Sequence, residues 1–227
     1  MSIKENINLI KKNITEAQSH SPYAAAHVEL LAVSKTKPVE MIEQAYQAGQ
    51  LSFGENRVQE ILAKAPLLPQ VHWHLIGHLQ TNKVRQIIDK VDLIHSLDSI
   101  ELADEIEKRA AAKDINVAAL VQVNIAEDEH KFGIKKEELP DFLLAMNDFS
   151  HLQIKGLMTI GPFCENGEEM RPVFTAMRQL FELTKKTAPP NIEMKYLSMG
   201  MSHDYMIAVE EGANIVRVGS SIFGVRS

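Results

Sequence analysis

Residues 30–54 read LLAVSKTKPVEMIEQAYQAGQLSFG. The stretch opens on a short apolar run, passes through a helix-period segment and closes on a second apolar run. Pro38 suits a first helical turn and Gly49 a helix C-terminus. Short apolar runs bounded by such punctuation read as buried strands. The segment is therefore one strand–helix–strand unit, the building block of a parallel sheet.

The unit repeats along the rest of the chain. Further strand-like runs are HWHLIG (72–77), LIHSL (93–97), VAALVQVN (117–124), IKGLMTI (154–160), YLSMG (196–200) and IVRVG (215–219). Between them lie helical patterns such as DSIELADEIEKRAAAK, which Asp98 or Ser99 would cap, KEELPDFLLAMNDF, EEMRPVFTAMRQLFELTKK and SHDYMIAVEEG. Eight such runs at a mean spacing of about 27 residues fit closure into a barrel, which takes roughly 250 residues and at least about 200. No GxGxxG follows the first run, which disfavours an open dinucleotide-binding sheet. Ahead of the first strand, Ile3, Ile7, Ile10 and Ile14 recur at helical spacing among Lys and Glu. The expectation is an α/β protein: a single (β/α)8 TIM-type barrel domain over residues 1–227, with residues 1–28 as an extra N-terminal helix and lead-in.

Composition sets the outer bounds. The 227 residues are 45% hydrophobic and 24% charged, ordinary globular values that exclude wholesale disorder. The single cysteine, Cys164, cannot form an internal disulfide, so a disulfide scaffold is excluded. A net charge of −6 argues against a nucleic-acid partner, whose footprint is usually basic. Neither a signal peptide nor a membrane span is legible, so the expected location is the cytoplasm.

In a barrel of this kind chemistry gathers at the C-terminal ends of the strands. Three features stand out there. Lys35 ends the first run, on the face of Leu31 and Val33. A lysine held against apolar neighbours can act as a neutral nucleophile or form a Schiff base, although a strand-end lysine can equally snorkel to solvent. Lys37, next to Pro38, is expected to be solvated. The loops after runs seven and eight read SMGMS and GSS, where barrels often bind phosphate. Glycine permits close backbone approach, successive N–H groups form an anion nest, Ser202 and Ser220 add hydroxyls, and His203 and Asp204 open a helix. Ordinary turn chemistry would use the same residues. Arg217 interrupts IVRVG and shares a face with Ile215 and Gly219; buried, it needs a partner, either a carboxylate or a ligand. His72 and His74 have a spacing open to a metal, but no third ligand is evident, and structural histidines are the simpler reading. Cys164 has no CxxC or adjacent base and reads as an incidental thiol. Met158, Met199 and Met201 read as core filler, or as packing against a flat ligand. The run EDEHK (127–131) reads as a solvated loop.

AVSKTKP, FGENRVQE, WHLIGHLQTNK, KFGI, GLMTIGP, LSMGMSHDY and VRVGSSIFG occur in this order over residues 32–224. Through these motifs the sequence resembles the pyridoxal phosphate homeostasis protein family. The resemblance implies the barrel of fold-type III pyridoxal phosphate proteins, similar to the N-terminal domain of alanine racemase. It implies that Lys35 forms the internal aldimine and that Asn56 lies near the ring hydroxyl. Met158 would pack beside the cofactor. Ser202, Gly219 and Ser220 would hold the phosphate, with backbone near Met199 and Met201, and Arg217 would donate to the pyridine nitrogen. An arginine donates there without leaving a proton, which makes the ring a poorer electron sink.

Two functions follow from the resemblance. One is a non-catalytic carrier that holds pyridoxal phosphate and passes it on, with apo pyridoxal phosphate enzymes as possible recipients. The other is an amino-acid racemase with Lys35 as one base. Racemase chemistry needs a second base, which alanine racemase takes from a C-terminal domain that the sequence after Gly219 is too short to hold. None of Tyr23, Tyr46, Tyr196 and Tyr205 sits clearly at a strand end facing the site. The carrier is the expected function, and a monomer the expected state. Apart from the resemblance, a barrel enzyme acting on a phosphorylated metabolite through Lys35 is a third reading.

Overall fold

A computed structural model describes residues 1–23, 27–127, 131–162, 164 and 166–224. The chain starts with helix α1 (Ile3–His20). Ser2 caps it, accepting from the Glu5 N–H, while the Glu5 carboxylate accepts from the Ser2 N–H. This reciprocal box satisfies two of the donors that a helix start leaves unpaired. Ile7, Ile10, Ile14 and Ala17 are buried, and Ile3 is half-buried. Each buried isoleucine contributes about 2 kcal/mol. Asn6 donates to the Ile222 carbonyl at 2.9 Å, and Asn13 to the Tyr205 hydroxyl at 2.8 Å, which fixes the register of α1 against the last part of the fold.

Eight strands follow: β1 (Glu29–Val33), β2 (Ser52–Glu55), β3 (His72–Leu75), β4 (Leu93–Leu97), β5 (Val117–Gln122), β6 (Leu152–Met158), β7 (Tyr196–Ser198) and β8 (Ile215–Val218). All neighbours are parallel, and β8 pairs with β1 to close the barrel. Among the described residues the main helices between strands are α2 (Val39–Gln47), α3 (Val58–Lys64), α4 (Val84–Ile87), α5 (Ile100–Lys113), α6 (Leu139–Ala145), α7 (Arg171–Thr187) and α8 (Tyr205–Glu210), and α9 (Ser220–Phe223) follows β8. All eight expected strands are present. Pro38 sits one residue before α2 rather than inside its first turn, and Ser99 rather than Asp98 caps α5. No described helix is long and apolar enough to cross a membrane.

Strand alternation splits the interior in two. Outward side chains such as Val216 and Val218 pack against the helices. Leu31, Val33, Ile76, Leu93, Leu120, Met158 and Ile215 form a separate cluster inside the barrel. Because Ile215 points inward, Arg217, two residues on, does as well. Closure is well registered at β1–β8, where Leu31 pairs with Arg217, but β7–β8 has one registered pair, Ser198 with Ile215. That seam is carried upward by the Met199 N–H donating to the Ile215 carbonyl and the Arg217 N–H to the Gly200 carbonyl.

Gly156 shows how tightly the sheet is drawn. Its φ is +146°, and a Cβ there would lie 1.9 Å from the Tyr196 carbonyl oxygen of the neighbouring strand. Gly156→Ala must push β6 and β7 apart. We expect a loss of about 2–4 kcal/mol, read as a lower denaturation midpoint at unchanged slope in guanidinium titration.

Candidate functional site

The strand ends converge on one mouth of the barrel. Lys35 follows β1 and is half-buried, on the inward face that already carries Leu31 and Val33. Its backbone is fixed from outside the barrel. The buried Ser34 hydroxyl donates to Glu55 Oε1 at 2.7 Å, and Lys64 Nζ donates to the Ser34 carbonyl at 3.1 Å. The same ammonium pairs with Glu55 at 2.8 Å and Glu60 at 2.9 Å, and Glu60 accepts from the Thr36 N–H at 2.8 Å. Thr36 has a φ of +64°, an uncommon conformation for a β-branched residue. The lysine's two chain neighbours are thus tied to one buried ion cluster.

That cluster carries an anomaly. Glu55 is fully buried, and its Oε2 has no hydrogen-bond partner. Burial pushes its pKa up to about 7, against the opposing pull of Lys64 and Ser34.

Asn56, next along the chain, is half-buried at the mouth. Gly77, after β3, lies against its backbone, and a Cβ at Gly77 would approach the Asn56 carbonyl oxygen to 2.3 Å. On the far side the loops after β7 and β8 meet: the Gly219 N–H donates to Ser202 Oγ at 3.1 Å. The N–H groups of Ser220 and Ser221 open α9, where the helix offers them no internal acceptor. Ser202 is half-buried, Ser220 exposed. Met158, fully buried, belongs to the apolar cluster inside the barrel.

Arg217 occupies the interior, level with Leu31. Lys35 lies four residues further up the same strand line, about 13 Å of rise. Arg217 is 4% exposed, yet among the described residues no carboxylate forms an ion pair with it. Its Nη1 donates to Ser198 Oγ and its Nη2 to the Thr159 carbonyl, both at 2.7 Å. Burial lowers its pKa to about 10, with Asp204 opposing from a distance. The sequence left open whether a carboxylate or a ligand partners this arginine. Its protein partners are a hydroxyl and a backbone carbonyl, both neutral acceptors.

The structure thus brings Lys35, Asn56, Met158, Ser202, Arg217, Gly219 and Ser220 to the mouth or directly beneath it. Met199 it does not. The residue after inward-facing Ser198 points outward, so Met199 is fully buried in the outer core and its N–H is bound to Ile215. The Met201 N–H is likewise taken, by the Asp204 carboxylate. Of the backbone donors expected near these two methionines, the Met199 and Met201 N–H groups are thus engaged in internal bonds. Lys37, expected in solvent, is half-buried and donates to the Phe223 carbonyl at 3.2 Å. His74 meets His95 at 3.0 Å, and no group of three or more possible metal ligands occurs among the described residues. The Cys164 thiol lies near the Pro162 carbonyl and the Met170 sulfur and packs against the outer core. Of the run at 127–131, residues 128–130 lie outside the described residues. Lys64 and Glu60 escaped the sequence reading, although their i, i+4 spacing in a helix start was a visible signal.

Comparison with known proteins agrees with this geometry. The chain matches the family model for the alanine racemase N-terminal domain over residues 6–227. It is 41% identical to the pyridoxal phosphate homeostasis protein of Aquifex aeolicus, covering 100% of this chain and 99% of that one. The corresponding protein of Pasteurella multocida is 39% identical, with 100% and 98% covered. PipY of Synechococcus elongatus, solved with PLP bound, superposes with a TM-score of 0.84 at 35% identity, covering 98% of this chain and 100% of that one. Alanine racemase from Clostridium difficile shares the fold, with a TM-score of 0.77 at 15% identity, over 99% of this chain and 60% of the racemase.

The Glu55 cluster sets a pH dependence. A carboxyl whose folded pKa exceeds its ordinary 4.5 adds stability when protonated, and that contribution is lost as pH rises from 4.5 to about 7. Relative to Glu55→Gln, the wild-type protein should lose up to about 3 kcal/mol across that window, measured by denaturant titration at stepped pH.

Proposed function

The chain belongs to the alanine racemase N-terminal domain family, among its pyridoxal phosphate homeostasis proteins, and from that premise we propose that it binds pyridoxal 5′-phosphate and holds it in reserve rather than turning over a substrate. The observation that carries this reading is Arg217: a buried cation without a paired carboxylate, set inside the barrel below a half-buried lysine.

The residues fit the group. Pyridoxal phosphate supplies an aldehyde for a lysine amine, an aromatic ring and a dianionic phosphate. Lys35 would form the covalent hold, its Nζ bonding to the aldehyde carbon as water leaves. The phosphate would lie against Ser202, Gly219 and Ser220, where two loops are joined by a hydrogen bond. Arg217 would donate to the ring nitrogen, with Met158 packing beneath the ring and Asn56 beside its hydroxyl. The Met199 side chain takes no direct part, because it faces the outer core.

A carrier is favoured over a racemase by what surrounds this pocket. The close relatives bear homeostasis names. None of the four tyrosines offers a second base at the mouth. Tyr205 is bound to Asn13 of α1, Tyr23 lies under Arg178, Tyr196 begins β7 at the opposite end of the barrel, and Tyr46 lies on α2. An arginine at the ring nitrogen also disfavours carbanion chemistry of the transaminase kind, since it does not leave its proton there. The recipients we propose are apo-enzymes that need this cofactor, and the working unit we propose is a monomer.

The test is absorbance of the purified protein with pyridoxal phosphate, followed by borohydride reduction and peptide mapping. Wild type should trap the cofactor on the peptide carrying Lys35, and Lys35→Ala should trap none there. Arg217→Gln should release it about 10–100-fold faster, the worth of one charged hydrogen bond. A protein that binds no pyridoxal phosphate overturns the reading, and steady racemisation of an added amino acid overturns its non-catalytic part.

A further inference from the structure

A line of buried hydrogen bonds runs through the barrel below the proposed pocket. Arg217 Nη1 donates to Ser198 Oγ at 2.7 Å, Ser198 Oγ meets His95 Nδ1 at 3.0 Å, and His95 Nε2 meets His74 Nδ1 at 3.0 Å. Ser198 and His95 are fully buried, and His74 is 5% exposed. The line crosses four strands, β8, β7, β4 and β3. It ends at a cavity of about 310 Å³ at the N-terminal end of the barrel, which His74 lines.

Its direction can be deduced. A guanidinium only donates, so Ser198 Oγ must accept from Arg217. Leaving the buried Ser198 proton unpaired would be costly, and His95 Nδ1 is the acceptor within reach. Pairing that proton puts the His95 proton on Nε2, where it is donated to His74 Nδ1. His74 in turn carries its proton on Nε2. Every donor points the same way, from Arg217 toward the lower cavity. Burial, with His74 and Arg217 nearby, holds the His95 pKa well below its ordinary value, as a neutral link beside a cation requires.

We propose that His95 and His74 are positioning residues that orient Arg217 through Ser198, and that the charge state of His74 in the lower cavity is transmitted along this line to the guanidinium. A protonated His74 has no lone pair on Nδ1. It would face the His95 Nε2–H donor to donor. His95 must then turn to its other tautomer or move away, and either change removes the acceptor of the Ser198 proton and disturbs the oxygen that Arg217 holds.

The groups facing His74 set when this happens. Glu29 of β1 and Asp92 before β4 favour its protonation, whereas burial and the neighbouring His72 oppose it, with the net effect downward. Asp92 is itself shared with His72 at 3.5 Å. Lys155 of β6 is paired with Glu193 at 2.9 Å, and Lys195 lies over the Tyr196 ring, so these cations are engaged at the cavity edge. His95 is the remaining neighbour. The switch therefore falls on the acid side of 6.5.

The consequence for cofactor retention rests on the function proposed above; the polarity of the line does not. The first experiment is nitrogen-15 NMR of histidine-labelled full-length protein without cofactor. His95 should show a protonated Nε2 and a bare Nδ1, and its signals should shift as His74 titrates. In His74→Gln that shift should vanish. Should this variant fail to fold, the wild-type tautomer and titration alone decide. The second experiment follows pyridoxal phosphate release by absorbance. Wild-type release should accelerate several-fold as His74 protonates, and His74→Gln should be flat. Ser198→Ala should release about ten-fold faster at all pH, with Ser198→Thr restoring retention. An Nδ1-protonated His95, or a His95 signal unmoved through the His74 titration, overturns the proposal. A release rate that keeps its pH dependence in His74→Gln overturns the transmission. Failure to bind pyridoxal phosphate overturns the function instead, and the imidazole measurement still stands.

Discussion

The constraint on which this structure turns is the burial of Arg217 inside the barrel without a carboxylate beside it. Stripping a cation of water costs several kcal/mol even after relaxation, and an ion pair is the usual remedy. Here a hydroxyl and a backbone carbonyl share the guanidinium, the first at the end of β7 and the second one residue beyond β6, on neighbouring strands of the closed sheet. Neutral acceptors satisfy the donors but leave the charge. A ligand acceptor entering from the mouth meets a cation that is already desolvated and held in place. Much of the cost of ordering has been met during folding, which is what preorganisation means for affinity.

The two chemically loaded side chains are held in opposite ways. Arg217 is fixed from inside, by a line of neutral groups that runs down the barrel axis. Lys35 is fixed from outside, by the Glu55–Lys64–Glu60 cluster gripping the peptide groups on either side of it. The second arrangement holds the lysine's backbone in place against the strain of Thr36. A carrier must hold firmly, and a fixed floor with a clamped rim meets that demand.

The fold was legible because strands covered on both faces leave continuous apolar runs, and eight of them at a mean spacing of about 27 residues have few other closures. Arg217 was legible as a charge inside such a run, and Lys35 as the polar end of another. Strand parity grouped Lys35 with Leu31 and Val33 and Arg217 with Ile215, but which face of the last run turns inward is settled only by the closed barrel. Parity applied to YLSMG would have placed Met199 as well, since inward Ser198 makes its neighbour outward; the motif drew attention to the loop and away from the alternation. The Glu55–Lys64 pairing and the histidine line were hidden for a different reason. Their partners meet only through register between strands and through a helix laid over the sheet, and neither is written in local spacing.

The barrel's two ends also differ in kind, and the difference bears on how such a protein is regulated. The mouth is shaped by loops whose glycines and serines bring backbone donors together. The lower end is shaped by the strand starts themselves, with Glu29, His72 and Asp92 set around His74. A change in charge at that lower end acts along the hydrogen-bonded line through His95 and Ser198, which ends on the guanidinium. Apolar packing by Leu31, Leu120 and Ile215 around the path keeps water from shorting it. In such a low-dielectric channel the loss of one acceptor is felt at the next group, whereas solvent would absorb it.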